Sequence, residues 1–138
     1  MDVINLIPDA AQMAQVFAQA AAPAFFLGAC VALAALLMTR LNDVMGRLRD
    51  ATPEQRARQA GSLMQRAKLL QSAIGFALAG ASFTTLLLMV TFAAALLRLQ
   101  HAFGAPILFL AATIMVGGSL LRFGQEVRAG LAELDEYT

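Results

Sequence analysis

The chain has 138 residues, enough for one compact unit, yet 59% are hydrophobic and only 14% are charged. Soluble domains carry about 25% charged residues, and a chain sheds charge over most of its length only where its surface faces lipid. The net charge of +1 conceals segregation, with long uncharged runs and the charges gathered between them, so the sequence reads as an integral membrane protein. Cys30 is the only cysteine, which excludes an intrachain disulfide or a cysteine metal cage.

The N-terminal segment, residues 1–19, does not read as a cleaved leader. Asp2 stands where a basic region belongs, and "VINLIP" is too short for an apolar core. From a start at Pro8 and Asp9, Met13, Val16, Phe17 and Ala20 line one helical face, with Gln12, Gln15 and Gln19 opposite. This outer amphipathic segment lies at the interface or lengthens the first span.

Three uncharged stretches have the roughly 20 apolar residues that a spanning helix needs. They are residues 20–39, stopped by Arg40; residues 69–97, bounded by Lys68 and Arg98; and residues 102–121, closed by Arg122. Helices are expected, because lipid leaves no partner for the backbone of an open strand edge. Pro106 suits the first turn of the third helix. The second stretch is longer than the minimum, so it tilts or protrudes.

Between the first two spans, residues 40–68 hold seven of the ten basic residues: Arg40, Arg47, Arg49, Arg56, Arg58, Arg66 and Lys68. Leu41, Val44, Met45 and Leu48 recur at three- and four-residue intervals, which predicts that the first helix continues beyond the membrane with an apolar stripe. At "DATPEQ" the chain breaks. Thr52 as N-cap, Pro53 in the first helical position and Gln55 completing a capping box predict a restart. The second helix then carries Ala60, Leu63, Met64, Ala67 and Leu70, and the two stripes are expected to pack together as a helical hairpin.

The tail, residues 122–138, places Phe123, Val127, Leu131 and Leu134 on a stripe and is acidic through Glu126, Glu133, Asp135 and Glu136. Basic residues are retained on the cytoplasmic side during insertion. The basic hairpin and the acidic tail are therefore expected in the cytoplasm, with the N-terminus outside. The predicted fold is all-α: three transmembrane helices with a cytoplasmic hairpin extension between the first and second.

The run "PAFFLGACVALAALLMTRLNDVMGRLR", followed by "RAKLLQSAI", resembles a family of small bacterial inner-membrane proteins, the domain-of-unknown-function family 2721. Pro23 at the span entrance, Thr39, Arg40 and Leu41 at its exit, and Arg47 and Arg49 beyond it carry the likeness, which extends over about Pro23 to Leu121. The resemblance implies three spans in a bacterial inner membrane. It brings no activity and no site residues.

Each chemical possibility meets a plainer reading. The basic stretch holds no aromatic residue on which bases would stack, and three acids interleave its seven bases. Orientation plus contact with lipid headgroups accounts for it, worth about 1 kcal/mol per basic residue near an anionic surface, and docking of the acidic tail or of a partner is compatible. No nucleic acid partner is expected. In the second span, Ser72, Gly75, Ala79 and Ser82 share one arc, while Ala73, Ala77, Thr84 and Thr91 share a roughly opposite one. Small residues let helices approach closely in lipid, so this helix is expected to lie centrally, with Gly28 (beside Ala24 and Ala32) and Gly117 and Gly118 (beside Ser119) as matching faces. The rival reading is a pore lined by Ser82 and Thr85, although no charged residue marks a path. His101 alone builds no metal site, Gly117 and Gly118 lie mid-span and not between a strand and a helix, and no nucleophile–base–orienter set occurs. No cofactor is expected. The sequence thus points to a non-catalytic subunit assembling with membrane lipids, itself or other membrane subunits. A small homo-oligomeric channel or transporter is the alternative, and an enzyme completed by partner residues a third.

Overall fold

The computed structural model describes residues 9–97 and 104–135, Leu134 by its backbone alone. It holds three helices: α1 (Ala10–Asp50), α2 (Pro53–Leu96) and α3 (Gly104–Asp135). Arg98, His101, the first eight residues and Glu136 lie outside the described residues, and with them the expectations attached to the outer connection and to the N-terminal leader.

All three helices are long and apolar enough to cross a membrane. The 44 residues of α2 correspond to about 66 Å at 1.5 Å per residue, roughly twice a hydrocarbon core of about 30 Å. α2 is therefore longer than a hydrocarbon core is thick. α1 runs without a break from the amphipathic segment through the first span, with Pro23 inside it. Its N-terminal part is continuous with the span, and the first turn opens with Met13 N–H donating to Asp9 C=O at 3.0 Å.

The turn between α1 and α2 forms as the local chemistry dictates. Ala51 is extended and its N–H closes on Arg47 C=O. Thr52 then caps α2: Gln55 N–H donates to Thr52 Oγ1 at 3.4 Å, and Thr52 N–H donates to Gln55 Oε1 at 3.2 Å. Proline at the first helical position costs no hydrogen bond there. Arg56 Nη2 reaches back to Arg49 C=O at 3.2 Å and ties the two arms.

The stripes of the hairpin meet. Val44, Leu63, Ala67 and Leu70 are buried in one core with Ala34, Leu37, Ala73, Ile74 and Ala77, and Leu33, Leu41, Leu48 and Phe123 pack against it. Met45 and Met64, at the stripe edges, are exposed.

α2 is central, packing on both α1 and α3, which hardly meet each other. Its partners run antiparallel to it. Gly80 lies against Ala112 and Val116, Gly118 against Phe76, Ser119 against Ala73, and Glu126 against Arg66, so one residue number rises as the other falls. The tail is thus not an appendage: α3 stays helical to Asp135 and lies along the extension of α2. What holds it there is the site described below.

The face of α2 that packs is only one of the two arcs. Ala73, Ala77, Gly80, Thr84 and Leu87 are buried. A Cβ on Gly80 would meet Val116 Cγ2 at 2.8 Å and Ala112 C=O at 3.2 Å, so α3 approaches its backbone directly. Ser119 Oγ donates to Ala73 C=O at 2.7 Å and joins the two helices by a buried hydrogen bond. Of the other arc, Ser72 and Ala79 are only half-buried. Gly75 and Ser82 are exposed, Gly75 has nothing within 4 Å of its would-be Cβ, and Ser82 Oγ turns to its own helix at Leu78 C=O. Gly28 and Gly117 are equally bare, and Gly118 alone of the three meets a neighbour, the Phe76 ring at 3.6 Å. Within one chain, then, α1 packs through Cys30, Ala34 and Leu37 instead of the Gly28 face.

Candidate functional site

The described residues place one cluster of charge inside the fold. Arg66 falls on the core stripe of α2, three residues after Leu63 and four before Leu70, and it is buried. Facing it, Glu126, Gly130 and Glu133 lie one turn apart on one side of α3, the i, i+4, i+7 spacing that aligns residues on a helix. Arg66 Nε and Nη2 both donate to Glu126 Oε1, at 3.1 and 2.8 Å, while Nη1 donates to Glu133 Oε2 at 3.1 Å. Arg40, on α1, donates from Nη2 to the other Glu126 oxygen, Oε2, at 3.5 Å. The Glu126 side chain is 0% exposed, that of Arg66 9%, that of Glu133 33% and that of Arg40 42%.

The chemistry explains the choice of residues. A guanidinium is planar and presents five donors in a rigid fork, which suits it to bridge two carboxylates from fixed directions, whereas an ammonium is a compact point charge with three. Gly130 provides the seat: a Cβ there would stand 3.0 Å from Arg66 Nη2 and 3.2 Å from Cζ, so a side chain at 130 would push the guanidinium back by a few tenths of an ångström. Burying ions is costly unless each is paired and bonded. Among the described residues no buried side-chain nitrogen or oxygen is left without a partner.

This corrects the reading of the basic stretch. Arg66 is the internal partner of α3 and is withdrawn from headgroups, and Arg40 is half-engaged. Arg47, Arg49, Arg56, Arg58 and Lys68 remain exposed. A signal for Arg66 was present in the sequence, since a charged residue at 66 interrupts the stripe Leu63–Ala67–Leu70. The matching signal was two carboxylates seven apart around a glycine.

The rest of the described residues offer little chemistry. Among the described residues no group of three or more His, Cys, Asp or Glu side chains could hold a metal ion. Thr39, Ser82, Thr84, Thr85, Thr91 and Thr113 each donate to the carbonyl four residues back, so their hydroxyls are spent on their own helix.

These features define a class: an all-α protein of three helices long and apolar enough to cross a membrane, clasped at one end by a buried ionic cluster. The chain belongs to the family described as Protein of unknown function (DUF2721), whose match covers residues 20–136. That is the family its first span and basic exit resemble. No curated protein and no solved structure matches the chain.

Proposed function

We propose that this is a non-catalytic inner-membrane protein that acts as an assembling subunit, with copies of itself or within a larger membrane complex. Its N-terminus lies outside and its C-terminus in the cytoplasm, as retention of basic residues on the cytoplasmic side requires. One observation carries the assembly reading. On the arc Ser72–Gly75–Ala79–Ser82, Gly75 and Ser82 are exposed and Ser72 and Ala79 half-buried, with nothing within 4 Å of a Cβ built on Gly75. Lipid tails exert no hydrophobic drive between helices, so small residues act by permitting close backbone approach. Here that capacity is used against α3 at Gly80 and unused at Gly75.

The test is copy number. In lipid nanodiscs, native mass spectrometry should report an oligomer or a retained partner, and Gly75→Leu should dissociate it without unfolding the chain. A monomer with no partner from native membranes would end this reading. The channel reading draws on one further fact, that Ser82 and Thr85 are exposed, so a path along them would run between copies. Conductance of reconstituted protein, abolished by Ser82→Phe or Thr85→Phe, is its signature.

A further inference from the structure

We infer that Lys68, Arg122 and Arg128, with the half-exposed Arg40, form a collar that binds the headgroups of anionic phospholipids at the charged end of the bundle. The observation is an order of charges that the fold creates. By sequence the tail is acidic, but its glutamates turn inward: Glu126 is wholly buried on Arg66, and Glu133 reaches the same guanidinium. Arg122 and Arg128, which flank Glu126, are exposed. The outer face of α3 therefore leaves its apolar span with two bases and no exposed carboxylate between them. The other helices repeat this order. Leaving its span, α1 shows Arg40 before Asp43, and α2, followed towards its N-terminus, shows exposed Lys68, Arg58 and Arg56 before Glu54. The exposed acids Asp43, Asp50, Glu54 and Asp135 all lie farther along their helices, where the exposed Arg47, Arg49, Arg56 and Arg58 balance them four to four. Among the described residues Lys68, Arg122 and Arg128 have no carboxylate partner. The uncompensated charge is thus confined to the end next to the spans.

That placement selects the occupant. A soluble polyanion or an acidic protein would meet the far end first, and there the charge is balanced. Lipid headgroups meet the near end. Exposed apolar side chains run up to the collar, Leu36 and Met38 to Arg40 and Leu120 and Leu121 to Arg122, as side chains that face acyl chains would. Arg122 and Arg128 are separated by about 9 Å of helix, close to the headgroup layer of about 5–8 Å on each side of the hydrocarbon. Long basic side chains lay their apolar stems on the tails and carry the charge to the headgroups, where a guanidinium fork matches phosphate oxygens. Two of the four bases come from the tail, which the sequence presents as acidic. The inference rests on the membrane placement proposed above and is independent of assembly.

The test uses the full chain in phosphatidylcholine bilayers doped with spin-labelled phosphatidylglycerol or spin-labelled phosphatidylcholine. Electron paramagnetic resonance reads the fraction of each that the protein holds motionally restricted. A basic residue near an anionic surface is worth about fivefold in affinity, so the native chain should favour phosphatidylglycerol severalfold, and less so as added salt shortens the screening length. Arg122→Gln with Arg128→Gln should cut that preference, and Lys68→Gln added to them should bring it close to parity. Arg56→Gln with Arg58→Gln makes the same change of charge as the first pair at the far end and should leave the preference intact. All five side chains are exposed, and circular dichroism checks that each variant keeps its helix content. A chain that restricts neither lipid overturns the membrane placement and the collar with it. A chain that restricts both lipids equally overturns the collar alone. So does a preference that survives the triple substitution, or one that falls as far with Arg56 and Arg58 as with Arg122 and Arg128.

Discussion

The interface of α2 with α3 is built in two different ways along its length. Within the apolar span it is made of small groups: Gly80 against Ala112 and Val116, and Ser119 bonded to Ala73. Beyond the span it is made of large ones: Arg66 lying over Gly130 between Glu126 and Glu133, beside Phe123 and the Leu63–Ala67–Leu70 stripe. The difference follows the solvent. In lipid an apolar side chain gains nothing by leaving the tails, so only close contact and hydrogen bonds distinguish a bound helix from a free one. Outside lipid, burial of apolar stripes drives packing, and a charged cluster can specify which helix docks where.

Several substitutions would break or sharpen that contrast. The largest effect is expected at the ionic end, where Glu126→Ala leaves Arg66 buried beside a single rim carboxylate and should destabilise the bundle by about 3–5 kcal/mol. Reversible unfolding in mixed detergent, followed by circular dichroism, reads this. The paired replacement Arg66→Met with Glu126→Leu should recover most of the loss, because an apolar pair of similar volume carries no desolvation penalty.

In the span, Gly80→Val forces α3 off a backbone it now touches and should cost about 1–3 kcal/mol, the usual range for overpacking. The same unfolding measurement applies, and a lengthened spacing between α2 and α3 should accompany the loss. Ser119→Ala removes one interhelical hydrogen bond, and a loss of about 0.6 kcal/mol is expected, the average for such bonds in membrane helices. Smallest is Arg40→Gln. This arm of the cluster is 3.5 Å long and its arginine 42% exposed, so solvent screening should hold the loss below that of Ser119→Ala, at about 0.2–0.5 kcal/mol. If Ser119→Ala cost more than Glu126→Ala, the assignment of the two regimes would be reversed.

Much of this architecture is local, and local features were legible. The three spans follow from runs of uncharged residues, because lipid tolerates nothing else. The turn at Thr52–Gln55 follows from a capping box that needs only four consecutive residues to form. The stripes of Val44, Leu63, Ala67 and Leu70 follow from helical periodicity, and the central place of α2 follows from its wealth of small residues. Family membership was legible for the same reason, in the run from Pro23 through Arg49.

The tertiary structure decided what depends on rotation and register between helices. Two arcs of small residues on α2 look equivalent in sequence. Only the fit of α3 selects Ala73, Ala77, Gly80 and Thr84 over Ser72, Gly75, Ala79 and Ser82. Arg66 looks like any other member of a basic stretch until α3 brings Glu126 and Glu133 to it across 60 and 67 residues of chain. Periodicity gives the face on which a residue sits, but it carries no record of which residue on a distant helix arrives opposite. Sequence alone therefore determined that this chain forms three helices long and apolar enough to cross a membrane, with a charged end, and the antiparallel register of α2 and α3 decided that its charge turns inward to meet itself.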